Sequence, residues 1–234
     1  MGKIILYHGF SKKIEIPKYG EGKEYNDYGR GFYCTEHLEL AKEWACTELS
    51  DGYANRYELD LSGLKILNLS SENYTILHWL TLLLEHRIFQ VSSPIMKNGI
   101  SYLKEHFHID IDQYDVIVGY RADDSYFSFA KAFINNTISL AQLSYAMKLG
   151  KLGEQYVLKS GEAFSAIYFM DAVPASSKNY YAKRKQRDDA AREAFFKELE
   201  NESLEGQYMR DIIKEGVKAD DVRLRRKIRR RCYE

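Results

Sequence analysis

Two short segments near the beginning of the chain carry residue types that can bind a flat, polar ring. The first is a predicted strand that ends at Tyr7-His8-Gly9, and the second, some twenty residues later, is the Gly-Arg-Gly-Phe-Tyr segment that ends at Tyr33. Because Gly9 lacks a Cβ, a ligand can approach its backbone closely. His8 adds a hydrogen-bonding imidazole, and Tyr33 adds an aromatic face. These residues predict two walls of a slot for a flat, polar ring.

The rest of the residue pattern predicts the framework that positions this slot, and its class is α+β. Ser139 and Gln142 have the spacing of a capping box, in which a hydroxyl and an amide satisfy free backbone groups at a helix start. Short apolar runs bounded by turn residues predict strands near 3–8, 29–35, 54–60, 64–69, 114–120, 154–159 and 166–171. Longer runs predict helices over 37–49, 74–90, 95–107, 125–135 and 140–149.

Length and composition fit a folded chain with a substantial core. Of the 234 residues, 45% are hydrophobic and 29% are charged, which is typical of globular proteins. No run approaches the roughly 18 apolar residues of a membrane span, and the start lacks the apolar stretch of a signal peptide. Cys34, Cys46 and Cys232 have no paired spacing, which indicates reduced thiols rather than disulfides or a zinc site. We therefore expect a cytoplasmic protein without a metal site and without membrane contact.

Charge and composition both change near Ser177. From Lys178 onward the chain holds 17 Lys and Arg against 12 Asp and Glu, so a net charge of zero conceals an acidic first part and a basic last part. We predict a body over residues 1–175 and a basic helical extension over residues 176–234. Three interpretations of the extension stay open: it binds nucleic-acid phosphates, it binds an acidic partner, or it is a solvated helix end whose cations favour the helix dipole.

The two site segments resemble the signature of a known enzyme class. Leu6–Gly9 followed by Tyr28–Tyr33 is similar to the signature of diphtheria-toxin-like and poly-ADP-ribose-polymerase-like ADP-ribosyltransferases, whose active site holds a His, a Tyr and usually a Glu. More narrowly, the chain resembles a bacterial family of uncharacterised ADP-ribosyltransferase-like domains that is linked to toxin–antitoxin pairs. A late segment, Glu154–Lys159, resembles the strand that carries the Glu, and Gln155 occupies that position. The resemblance covers roughly residues 3–171.

The resemblance implies a fold and a set of residues that bind NAD as a substrate. The fold is a split β-sandwich of two small, mainly antiparallel sheets with flanking helices, to which the C-terminal helical extension is added. His8 would donate a hydrogen bond to a ribose hydroxyl on the adenosine side. The backbone of Gly9 would clamp the nicotinamide carboxamide. The remaining NAD contacts implied are Tyr33 stacked on nicotinamide, Trp44 on the opposite ring face, and Gly31 and Thr35.

Gln155 is the departure that matters most for mechanism. Cleavage of the nicotinamide–ribose bond builds positive charge on the ribose, and a carboxylate near the 2′-hydroxyl would stabilise that charge, whereas a neutral amide supplies none. Glu154 carries a charge, but successive strand residues face opposite sides, so only one of the two can face the slot. We assign the third catalytic position to Gln155, beside His8 and Tyr33. On the sequence alone, Gln155→Glu is expected to accelerate NAD cleavage.

The resemblance implies mono-ADP-ribosyl transfer from NAD to a macromolecular acceptor, and it leaves protein and nucleic acid open as acceptors. It further implies a toxin role, with an antitoxin as partner. One alternative is a NAD glycohydrolase, in which water is the acceptor. Another is a catalytically decayed module that binds NAD or ADP-ribose and acts through its basic extension. The charged segment Arg121–Ser125 follows a predicted strand. Two interpretations stay open: its charges line the side of the slot where the acceptor binds, or they only mark the start of a helix.

Overall fold

A computed structural model describes residues 2–122, 124–149, 152–200 and 206–224. Its class is α+β, as the sequence predicts, with two sheets and several helices. The first sheet is antiparallel and has the order β1-β3-β7. Its strands are β1 (Lys3–Phe10), β3 (Gly52–Asp60) and β7 (Ile167–Ala175).

The second sheet has four strands in the order β2-β6-β5-β4. Its neighbouring strands pair antiparallel except β4 and β5, which are parallel. The strand β2 is shorter than the predicted 29–35 because Gly29 has a left-handed φ of 70°, which no extended strand adopts. The strands are β2 (Phe32–Cys34), β4 (Ile66–Asn68), β5 (Val116–Tyr120) and β6 (Glu154–Leu158).

The five predicted helices of the body are present, with ends that differ by a few residues. The capping box is confirmed, because the Ser139 hydroxyl accepts from the Gln142 N–H at 3.3 Å and the Gln142 Oε1 accepts from the Ser139 N–H at 2.8 Å. One short helix, α6, was not expected from the pattern. The helices are α1 (Leu38–Ala45), α2 (Ile76–His86), α3 (Pro94–His106), α4 (Asp124–Ile134), α5 (Leu140–Ala146), α6 (Gly161–Ser165), α7 (Ser177–Glu200) and α8 (Met209–Lys214).

Two large clusters of buried apolar side chains, and a third of only Ala45, Cys46 and Ala175, hold the described elements together. The smaller of the two large clusters lies between the sheets, because it contains residues of both, such as Leu6 and Leu59 from the first and Val116 and Leu158 from the second. The larger cluster lies on the other side of the second sheet, under the helices. Burial of apolar side chains is the main favourable term in folding, so the two sheets are stabilised as facing layers.

The C-terminal helices share the core of the body. Phe195 on α7 lies with its ring centroid 4.0 Å from that of Phe129, and Met209 and Ile212 on α8 are fully buried in the larger cluster. Arg187 on α7 also forms an ion pair with Glu43 on α1. The described part of residues 176–234 therefore packs tightly onto the body, and α7 begins close to the predicted boundary. The Arg-rich run after Leu224 and Cys232 lie outside the described residues.

Three further observations concern surfaces and thiols. In the described ranges, every helix is too short or too polar to cross a lipid bilayer. The same ranges hold no cluster of three or more His, Cys, Asp and Glu side chains arranged for a metal ion. Cys34 and Cys46 are buried, and neither forms a disulfide.

Candidate functional site

The first and second sheets touch at one backbone bridge beside the predicted slot. The Tyr7 N–H donates to the Thr35 carbonyl at 2.7 Å, and the Thr35 N–H donates to the Tyr7 carbonyl at 2.9 Å. Alternate residues of a strand direct their polar backbone groups to the same edge of the strand. The N–H and C=O of Gly9, two residues after Tyr7, therefore face the same edge of β1 as the bridge to Thr35. Thr35 itself is fully buried, and its Oγ1 accepts from the His37 N–H. Its role in the geometry is therefore to join the sheets.

His8 links the two motif segments. Its Nδ1 lies 2.7 Å from the Tyr33 carbonyl oxygen, and its ring stacks on Phe32 with centroids 4.3 Å apart. A carbonyl only accepts, so Nδ1 carries the proton. Burial lowers the pKa of His8, the Tyr33 carbonyl opposes this, and the charge of Arg121 lowers the pKa further. A neutral His8 then offers Nε2 as an acceptor, so a ribose hydroxyl would donate to it, the reverse of the direction that the resemblance implies.

The lowered pKa of His8 has a consequence for stability. Because the unfolded chain binds the proton first, near the ordinary pKa of about 6.5, the contribution of His8 to stability is present above that pH and is lost as the pH falls below it. We expect the melting temperature of the wild type to fall more steeply than that of His8→Gln when the pH is lowered from about 8 to about 5. Calorimetry of both proteins measures this difference, and parallel curves would contradict it.

Gly9 has a structural reason to be glycine that the sequence does not reveal. A Cβ at this position would overlap the carbonyl oxygen of Ala41 and would lie 2.8 Å from the backbone nitrogen of Ala45. Both belong to α1, and Ala41 is fully buried. The missing side chain therefore lets α1 pack directly on β1. Close approach of a helix and close approach of a ligand both require glycine here.

Tyr33 anchors the turn that precedes β2. Its hydroxyl donates to the Gly29 carbonyl at 2.5 Å and accepts from the Tyr28 N–H at 3.2 Å. Burial raises the pKa of Tyr33 well above its ordinary value, and the Tyr28 N–H opposes that shift. The phenol is therefore neutral and fixed by the turn, while its ring lies partly buried against the larger core.

The register between β2 and β6 places Tyr33 and Gln155 on one face of the second sheet. Tyr33 pairs with Val157, and Gln155, two residues before Val157, points to the same side because side chains alternate along a strand. Glu154 therefore lies on the opposite face. Gly31 keeps the strands close, since a Cβ there would lie 2.6 Å from Val157 Cγ1.

Gln155 is held by two acceptors. Its side chain is 1% exposed, and its Nε2 donates to Asp27 Oδ2 and to the Tyr120 carbonyl, each at 3.1 Å. The Tyr28 hydroxyl donates to the same Tyr120 carbonyl at 2.7 Å. Both partners are hydrogen-bond acceptors, so the Gln155 amide is oriented with its nitrogen, rather than its oxygen, toward them. Across the described ranges no hydrogen bond to Gln155 Oε1 is formed, so this oxygen is available as an acceptor.

Asp27 is the site residue that the sequence does not point to. It is 6% exposed, and its Oδ2 accepts from the Ala122 N–H at 2.8 Å as well as from Gln155. Arg87 is its nearest cation, with Nε 3.8 Å from Oδ1. Burial raises the pKa of Asp27, against the lowering effects of the Ala122 N–H, Arg87 and Gln155. The one local signal is an acidic residue directly before the Tyr28–Tyr33 motif.

Trp44 does not present an open ring on both faces. The guanidinium carbon of Arg121 lies 3.7 Å from the ring centroid of Trp44, a short cation–π contact. Arg121 follows β5, and its charge also affects the pKa values of His8 and Asp27. Arg121 therefore contacts Trp44, and its charge acts on His8 and Asp27. A nicotinamide sandwiched by Trp44 would use the other indole face or displace this cation.

The model of one protein family, described as "Protein of unknown function (DUF3990)", matches residues 4–169. The match includes residues of every strand of both sheets and all of α1 to α6, and it includes His8, Tyr33 and Gln155. Comparison with curated proteins and with solved structures found no match.

Proposed function

We propose that this chain, which belongs to the DUF3990 family, binds NAD and transfers a single ADP-ribose unit to a macromolecular acceptor in the cytoplasm. We further propose that its two sheets form the ADP-ribosyltransferase-like split sandwich. One observation carries the proposal. His8 and Gln155, which are distant in sequence, both contact the short segment Asp27–Tyr33 that carries Tyr33, beside the junction of the sheets.

Each side chain has a task in breaking the nicotinamide–ribose bond. The bond's electron pair leaves with nicotinamide, which becomes neutral, and positive charge develops on the ribose. The acceptor nucleophile then bonds to C1′ and releases a proton. The Gly9 backbone and the Tyr33 ring would orient nicotinamide, and the neutral His8 would accept from a ribose hydroxyl. Gln155 Oε1 would accept from the ribose next to the broken bond, where its dipole favours the developing charge.

The neutral amide at position 155 favours slow, single transfer. A glutamate would place a full charge beside the ribose, whereas Gln155 offers only the oxygen end of a dipole. We therefore propose mono-ADP-ribosylation rather than chain elongation.

A NAD-binding module without turnover is the second candidate. Two observations favour it: the neutral Gln155 and the Arg121 guanidinium that covers one face of Trp44. Such a module would still bind NAD or ADP-ribose, and it would act through contacts with other macromolecules.

One set of assays separates these functions. Purified protein is incubated with about 1 mM NAD, and released nicotinamide is measured. In a second assay the protein is added to cell extract that contains labelled NAD, and labelled macromolecules are detected on a gel. A discrete labelled band supports the transferase. Free ADP-ribose formed at full rate without extract identifies a glycohydrolase, and thermal protection by NAD without turnover identifies a binding module. Absence of both protection and nicotinamide release would overturn the proposal.

A growth assay extends the test to the toxin role. If the chain is the toxin of a toxin–antitoxin pair, its expression in a bacterial host should arrest growth, and His8→Ala should relieve the arrest. Growth arrest that persists with the His8→Ala variant would mean that the toxicity does not depend on NAD cleavage.

A further inference from the structure

Asp27 is a buried carboxyl group that its hydrogen bonds do not require. One oxygen, Oδ2, accepts from both the Ala122 N–H and Gln155 Nε2. An asparagine could make the same two bonds with its single amide oxygen, because both donors approach one atom. Burying a carboxylate is unfavourable unless it is well paired, and the Arg87 Nε at 3.8 Å is a long partner. The presence of a carboxyl group rather than an amide therefore calls for another explanation.

The position of the charge supplies that explanation. Asp27 contacts the nitrogen end of the Gln155 amide, and Gln155 Oε1 is the end that remains available. A carboxylate that accepts from an amide N–H polarises the amide, which makes its oxygen more negative. The groups that face Asp27 are Arg87, Arg121, Tyr28, Tyr33 and Gln155. Among the described residues, Gln155 Oε1 accepts no hydrogen bond, so this atom can bind a ligand.

We propose that Asp27 is a positioning residue that orients Gln155 and, through its amide, places negative charge next to the ribose during NAD cleavage. The inference rests on the proposed function and deepens it. Position 155 holds no carboxylate. Asp27, in the segment before β2, would supply one through its hydrogen bond to Gln155, which in turn contacts the substrate. The charge stabilises the transition state more than it stabilises bound NAD, because positive charge develops on the ribose only as the bond breaks.

Asp27→Asn tests this proposal, since it removes the charge and keeps the acceptor oxygen. We expect kcat for nicotinamide release to fall roughly 10-fold or more, while KM for NAD changes less than about 2-fold. The melting temperature should be unchanged or higher, because burial of the carboxylate is unfavourable. The matched control is Asp171→Asn, which changes a half-exposed carboxylate of β7 that pairs with Arg56, and it should leave kcat unchanged.

A charge exchange gives the second test. Gln155→Glu alone puts two carboxylates in contact, so they repel, one of them takes up a proton and the fold is destabilised. With Asp27 in contact with residue 155, we expect Gln155→Glu alone to slow NAD cleavage, whereas the sequence alone predicts an acceleration. The double variant Asp27→Asn/Gln155→Glu restores one carboxylate and one amide, with the charge closer to the ribose. We expect its kcat to exceed that of either single variant by about 10-fold.

The outcomes separate this inference from the proposed function. If the wild type cleaves NAD and Asp27→Asn cleaves it equally fast, the inference is wrong and the proposed function stands. If Asp27→Asn loses activity only in proportion to a lower melting temperature, or the double variant is no better than the single ones, Asp27 serves folding and the inference is again wrong. A wild type that neither binds nor cleaves NAD overturns both.

Discussion

His8→Ala should lower nicotinamide release from NAD by roughly 100-fold or more, the effect typical of losing one preorganised hydrogen-bonding group at a reacting centre. The imidazole is fixed on one side by the Tyr33 carbonyl and by its stacking on Phe32. A group held in this way is positioned before the substrate arrives, so its removal costs catalysis rather than only binding. Measurement of kcat and KM for NAD, together with the labelled band in extract, gives the effect.

The matched control for this prediction is His108→Ala. The side chain of His108 is 55% exposed and interacts with Glu85, away from the junction of the two sheets. Its variant should retain the wild-type rate. Circular dichroism of both variants verifies that they are folded. Equal rates for His8→Ala and the wild type would remove His8 from the site, and equal losses in both variants would indicate a general effect of the substitution on the protein.

Gly9→Ala should destabilise the protein by about 3 kcal/mol, at the upper end of the usual cost of overpacking. The added methyl group would overlap the Ala41 carbonyl and lie 2.8 Å from the Ala45 nitrogen. These are backbone atoms of α1, which cannot move aside as a flexible side chain does. The helix must shift away from β1, and the change would be visible as a lower midpoint in urea denaturation.

The control for Gly9→Ala is Gly161→Ala. A Cβ at Gly161 would have no atom within 4 Å, and its φ is not in the left-handed region. This variant should change stability by no more than about 1 kcal/mol, with a gain expected because alanine restricts the unfolded chain. A Gly9→Ala midpoint equal to that of Gly161→Ala would mean that α1 does not press on β1 as the structure shows.

The sequence determined the local elements of this protein. Apolar runs and turn residues located the seven strands found in the described residues, and the spacing of Ser139 and Gln142 located the start of α5. Strand alternation placed Gln155 and Glu154 on opposite faces of β6. These properties depend on residues only a few positions apart, whose sterics and hydrogen bonds act within one element.

Only the tertiary structure decided which distant residues complete the candidate site. Asp27 and Gln155 are 128 residues apart in sequence, and no local pattern reveals that they meet. The same holds for Arg121 on Trp44, for the contact of Gly9 with α1, and for the share of α7 and α8 in the core of the body. Such contacts follow from strand order and helix packing. These bring together residues that are far apart in the chain, and nothing in their spacing predicts that they meet.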